Sequence, residues 1–149
     1  MKEGDEINVY VQRARSFRER GYNCAQAVAC SFAQEVGMDE QTLFRMVEGL
    51  GGGMGFHKAT CGAVSAAAVL VGLFSSAGIV DQDAKKATYN QIGAIVDSFY
   101  AKNKSLVCRE LLGEDTQIVL RSCDGCVEDV VLLVHKMVQE IKNKNASTT

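Results

Sequence analysis

Apolar residues recur every three to four positions along this chain, in segments separated by short polar or glycine-containing breaks. Between Asp5 and Arg20, Ile7, Tyr10, Val11, Ala14 and Phe17 fall on one helical face, and Gly21 ends the pattern. Asn23, a favoured N-cap, opens a second segment with the stripe Cys24, Ala27, Val28, Phe32 and Val36, closed by Gly37. Asp39 caps a short third helix carrying Leu43, Met46 and Val47. The run from Cys61 to Val80 contains no charge and reads as a helix over about 61–77, apolar all round because neighbours surround it. Asp81 or Asp83 starts a long helix with Ala84, Ala87, Gln91, Ile92, Ile95 and Phe99 on one face. Ser105 opens a short helix through Cys108-Arg109-Glu110-Leu111-Leu112, and a last helix places Val127, Val130, Val134, Met137, Val138 and Ile141 on its face. No segment alternates with a strand's period of two, and no internal repeat is visible. The pattern predicts an all-α protein: one domain over 1–149, a bundle of five to seven helices around the central Ala/Gly-rich segment, with 143–149 as a frayed tail.

Composition sharpens this picture in three places. The chain has no proline, which suits long helices, and its 47% apolar content is that of a soluble domain large enough to bury a core. A net charge of −2 gives no reason to expect nucleic acid as a partner, and Arg13, Arg15, Arg18 and Arg20 read as a solvated helix face. The segment 61–80 is long enough to cross a bilayer, which takes about 20 apolar residues. It is dominated by Ala, Gly and Ser, so no membrane insertion is expected. The opening Met1-Lys2-Glu3-Gly4-Asp5-Glu6 has no apolar stretch of a secretory signal, which predicts a cytoplasmic protein with reduced thiols.

The candidate chemistry lies in six cysteines, five of which fall where helices are expected to begin. Cys24 follows Asn23, Cys61 follows Thr60, Cys108 lies three residues after Ser105, and Cys123 and Cys126 flank Asp124. Unpaired amides and a partial positive charge at a helix N-terminus stabilise thiolate over thiol, making a better nucleophile or metal ligand. The spacing matches no compact zinc or ferredoxin motif, so one site must be assembled by the fold, from Cys24, Cys61, Cys108 and Cys123. Cys126 could replace or partner Cys123. Cys30, about 240° around the helix from Cys24, lies off that stripe and reads as packing or surface.

Gly49-Leu50-Gly51-Gly52-Gly53-Met54-Gly55 lacks the Gly-Lys-Ser/Thr ending of a phosphate loop and the third glycine of a dinucleotide fingerprint. Its expected role is steric, letting backbone pass close to the sulfur site. His57 is a candidate ligand or proton relay, with an ordinary loop histidine as the plainer reading; His135 is peripheral. There is no Cys-x-x-Cys-His for covalent heme and no assembled hydrolase triad.

With these residues in place, the chain resembles the C_GCAxxG_C_C family of redox-active proteins. The resemblance rests on Tyr22-Asn23-Cys24-Ala25-Gln26-Ala27-Val28, on Gly51-Gly52-Gly53 followed by Thr60-Cys61-Gly62-Ala63, on Cys108-Arg-Glu-Leu-Leu-Gly113, and on Cys123-Asp-Gly-Cys-Val-Glu-Asp129. Ala66 stands where the family signature has its last glycine, and Cys126 is additional to the pattern. The resemblance implies a four-cysteine redox site without naming its cofactor. Three readings follow: thiol/disulfide exchange or iron–sulfur electron transfer at the convergent cysteines, a structural zinc or other metal module using the same set, and a helical scaffold with inert thiols. Expected partners are a redox partner protein and a second copy of the chain.

Overall fold

A computed structural model describes the backbone over residues 3–148 and the side chains over residues 9–146. The face predicted for Ile7 lies outside the described side chains. The helices are α1 (Glu3–Glu19), α2 (Cys24–Ser31), α3 (Ala33–Val36), α4 (Glu40–Val47), a 3₁₀ turn (Glu48–Leu50), α5 (Gly51–Met54), α6 (Gly62–Ser75), α7 (Gln82–Asn103), α8 (Cys108–Leu112) and α9 (Cys123–Thr148). Among the described residues, seven helices have five residues or more, and the only β-structure is an isolated bridge between Thr60 and Val107. The protein is an all-α bundle. No helix among the described residues is long and apolar enough to cross a membrane; α6 stops at Ser75, where Ser76 turns the backbone extended.

The helix buried along its whole length is α2, not the expected 61–77 segment. All eight residues of α2 are buried, because α1, α4, α6 and α9 pack around it. Its alanines let those neighbours approach closely. The C-terminal half of α6 emerges at the surface, with Leu73 41% exposed. The second predicted helix, 24–36, is broken at Phe32, which leaves helical geometry at φ −114° and ψ 14°. Ser31 donates to the Ala27 carbonyl at 2.6 Å, a side-chain bond that loosens the last turn, and buried Phe32 stacks on Tyr10 with ring centroids 4.8 Å apart.

Several starts shift from their expected caps. Asp39 and Asp81 cap α4 and α7, accepting from the amides of Thr42 and Ala84. Ser105 does not cap α8. It accepts from Val107 N–H at 3.0 Å and donates to Glu110, so α8 begins at Cys108. Ser122, not Asp124, caps α9, its hydroxyl accepting from Gly125 N–H at 3.0 Å. Met46, expected inward, is 54% exposed. The backbone remains helical through Thr148, where 143–149 was expected to fray.

The core runs from α1 through α2 to α6 and α9, with Phe32, Leu43, Leu70, Phe99 and Val127 among its filled positions. Asp129 ties three segments together at one end. It accepts from Lys102 at 2.6 Å, Asn103 at 3.1 Å and both arms of Arg121 at 2.9 and 3.0 Å. Burial raises its pKa, but the hydrogen bonds of Arg121, Lys102 and Asn103 outweigh that and hold the carboxyl below the usual range. This network clamps the end of α7 and the 114–122 loop onto the first turns of α9.

Truncation at two positions of α6 tests this packing. Leu70→Ala, at a site with no exposure, should lower the unfolding free energy by about 2–5 kcal/mol. Leu73→Ala, three residues on and 41% exposed, should cost well under half of that; denaturant unfolding of both variants measures the difference.

Candidate functional site

The start of α2 is held by a reciprocal cap. The Asn23 side chain accepts from Gln26 N–H and the Gln26 side chain accepts from Asn23 N–H, both at 2.9 Å. Asn23 also donates to the Glu48 carbonyl at 3.0 Å, which draws the glycine-rich segment across the helix start. Cys24, the first residue of α2, is therefore met by amides from two directions, Ala25 on its own helix and Gly52 on that segment. The thiol of Cys123 completes the set. That hydrogen bond, aided by the amides and opposed by burial, pulls the Cys24 pKa from its ordinary 9.0 to about 6.

Cys61 repeats the arrangement at the start of α6. It occupies the cap position itself without a side-chain cap hydrogen bond, and its sulfur feels the Cys126 thiol and the amides of Val64 and Ala63. The Cys126 bond is the principal reason its pKa is lowered, again against burial. Cys61 N–H donates to the Leu106 carbonyl at 2.7 Å and Cys108 N–H to the Ala59 carbonyl at 3.0 Å. These two bonds and the Thr60–Val107 bridge set the α6 and α8 starts side by side.

Both donor thiols come from the first turn of α9. Residues three apart on a helix share a face, so Cys123 meets Cys24 while Cys126 meets Cys61. Their own pKa values are raised, first because each donates to a thiolate and then by burial. Cys123 is half-buried, and the Arg18 guanidinium lies 3.5 Å from its sulfur while pairing with Asp124 at 2.9 Å. Cys24, Cys61 and Cys126 are all buried.

Two close approaches make this geometry depend on glycine. A Cβ at position 62 would lie 2.6 Å from Cys24 Sγ and 2.8 Å from the Leu50 carbonyl oxygen. Gly53, at φ +58°, presses on Cys108, where a Cβ would come within 2.6 Å of the Cys108 Cβ. Cys108 itself is half-buried at the start of α8 and, among the described residues, belongs to neither hydrogen-bonded pair. Burial, followed by the negative charge of Cys61 and Cys24, pushes its thiol up to about 11.

The structure thus groups Cys24, Cys61, Cys123 and Cys126, with Cys108 at the margin. Cys30 stays apart: it is buried against α4, donates to the Glu40 carbonyl at 3.6 Å, and burial raises its pKa to about 12. It lies off the Cys24 stripe, but every face of α2 is covered, so it is not at the surface. His57 is bonded through Nδ1 to the Glu114 carboxylate, with its ring over Gly52. His135 is buried beside Tyr10, their ring centroids 4.9 Å apart. Among the described residues no three Cys, His, Asp or Glu side chains come together as a metal-ligand group.

One residue beside the site is not legible in the sequence: Arg18 reads as part of a solvated face, and nothing in the linear sequence ties position 18 to position 123. Cys126 was considered only as a substitute or partner for Cys123; its i, i+3 spacing was the available signal, since that spacing puts both thiols on one face.

The family model described as "Putative redox-active protein (C_GCAxxG_C_C)" matches residues 22–137, from the capped start of α2 to the body of α9. The chain belongs to this family. No curated protein and no solved structure matches it.

Two measurements test this geometry. Gly62→Ala must displace either the Cys24 sulfur or the Leu50 backbone, and should lower stability by about 1–3 kcal/mol in a denaturant titration. The second is pH dependence in the reduced protein. A thiol depressed from 9.0 to about 6 contributes its full stabilisation above pH 9 and loses it as pH falls through 6. Between these limits Cys24 should make the unfolding free energy rise by up to about 1.4 kcal/mol per pH unit. Cys24→Ala should remove that slope. The raised thiols of Cys30 and Cys108 act oppositely, losing stabilisation as pH climbs from 9 towards about 12 and about 11 respectively.

Proposed function

We propose that this protein is a thiol–disulfide redox protein whose Cys24–Cys123 pair exchanges with a disulfide of a small molecule or partner protein in a reducing compartment such as the cytoplasm. The observation that carries this reading is a half-exposed Cys123 with the Arg18 guanidinium 3.5 Å from its sulfur, beside a buried Cys24 whose pKa is lowered by the Cys123 thiol and the amides of Gly52 and Ala25. Cys24 can take the proton from Cys123 as Cys123 attacks the substrate disulfide. One substrate sulfur leaves as a thiolate and the other is bound to Cys123. Cys24 then attacks the Cys123 sulfur, closing the internal disulfide and releasing the second substrate half, which takes up the proton. One disulfide is reduced to a thiol and a thiolate, and one dithiol is oxidised.

The surroundings support Cys123 as the entry point. Arg18 at 3.5 Å stabilises negative charge on its sulfur during attack. A cavity of about 410 Å³ lined by Arg15, Arg18, Glu19, Asp124, Val127 and Glu128 shares Arg18 with the surroundings of Cys123, which does not itself line it. The family description, redox-active, is consistent with this chemistry.

The test uses reduced protein, purified anaerobically and assayed for metal. With oxidised glutathione the wild type should form a Cys24–Cys123 disulfide, while Cys24→Ser should stop at a glutathione adduct on Cys123, read by peptide mass spectrometry. Iodoacetamide should modify the Cys24–Cys123 pair, which holds one thiolate between its two sulfurs, at near-neutral pH faster than Cys30, whose pKa is raised to about 12. Stoichiometric zinc, or iron with sulfide and visible absorption bands, together with unreactive cysteines, would replace this reading with a metal site.

A further inference from the structure

We propose that Cys61 and Cys126 form a second dithiol behind the first, so that the site releases four electrons per chain on full oxidation, passed outward through Cys24 and Cys123. This inference rests on the thiol–disulfide reading above and adds a residue outside the family's cysteine pattern. The geometry is that of two stacked pairs. The i, i+3 thiols of α9 face two different helix starts, and those starts touch each other where the Cys24 sulfur sits on Gly62, the residue after Cys61. Cys24 and Cys61 are each 5% exposed and Cys126 2%, so among these four sulfurs only the half-buried Cys123 is open to an external disulfide.

The relay balances in atoms and electrons. Once the outer disulfide has formed, the Cys61 thiolate attacks the Cys24 sulfur, making a Cys61–Cys24 disulfide and expelling the Cys123 thiolate. The Cys126 sulfur then attacks Cys61, expelling the Cys24 thiolate, and the Cys126 proton passes to Cys123. The inner pair ends as a disulfide and the outer pair is restored to one thiolate and one thiol. A second molecule of external disulfide reoxidises the outer pair. Each round therefore reduces one external disulfide with two electrons from the site.

A packing role predicts something different. The Cys61 thiolate is buried and needs donors, and Cys126 could serve merely as one of them. Cys126→Ser retains a hydroxyl donor but cannot form a disulfide, so it separates the two roles.

The experiment treats reduced wild-type protein with excess oxidised glutathione, quenches with acid, and maps disulfides after cleavage before Asp124, which places Cys123 and Cys126 on different peptides. The expected result is two disulfides, Cys24–Cys123 and Cys61–Cys126, with Cys30 and Cys108 outside them. Cys126→Ser should keep the first and take up half as many oxidising equivalents. Cys123→Ser should form the inner disulfide at least tenfold more slowly than wild type. A wild-type map with Cys24–Cys123 bridged and Cys61 and Cys126 still alkylatable would overturn the inner dithiol while leaving the proposed function standing. A map with no disulfide would overturn both. An inner disulfide formed as quickly in Cys123→Ser as in wild type would overturn the relay. Mapping of the wild type decides whether the inner dithiol forms even if a variant does not fold.

Discussion

A sulfur anion inside a helical bundle loses the hydration that stabilises it in water, and burial alone raises a thiol's pKa, as it does at Cys30. Cys24 and Cys61 escape that outcome because each gathers backbone amides and a thiol donor around one sulfur. Much of the local architecture follows from this requirement. The reciprocal Asn23–Gln26 cap leaves the Ala25 amide for sulfur, the glycine-rich segment delivers the Gly52 amide from outside α2, and α9 supplies both donor thiols from one turn. Remove the donors and the same burial that protects the thiolates would neutralise them.

Close approach is the second constraint. Three helix starts can bring sulfurs within hydrogen-bonding range only if their backbones nearly touch, and a β-carbon at position 62 would occupy the space held by the Cys24 sulfur. The run of alanines in α2 serves the same end at larger scale, allowing four helices to close over it. The Asp129 network works from the opposite side: by tying Lys102, Asn103 and Arg121 to α9 it fixes the helix one turn beyond Cys126. Rigidity there matters because the two thiols must each aim at a different partner.

The division of the sulfurs into pairs also bears on what the site can do. Within each pair one thiol is pushed down and its partner up, so that one sulfur carries charge more readily than the other. Such a pair holds the reactants of disulfide formation already in contact, with a base beside the acid. The half-exposed member, Cys123, stands 3.5 Å from the Arg18 guanidinium, so access and electrostatic support coincide at one sulfur.

Much of this was legible in the linear pattern. Apolar spacing placed the long helices, Asn23, Asp39 and Asp81 marked their starts, and the coincidence of cysteines with helix starts marked the chemistry, because capping and amphipathic period are local properties that residues a few positions apart determine. The break at Phe32, the full burial of α2 and the cap at Ser122 were not legible in the same way, since they depend on which neighbours pack where and on competing side-chain bonds. Partner choice among the cysteines lay furthest from the sequence. That Cys123 meets Cys24 and Cys126 meets Cys61, that Cys108 stands aside, and that Arg18 joins them is decided by how α1, α2, α6 and α9 cross, and distances between such helices are set by core packing rather than by any spacing along the chain.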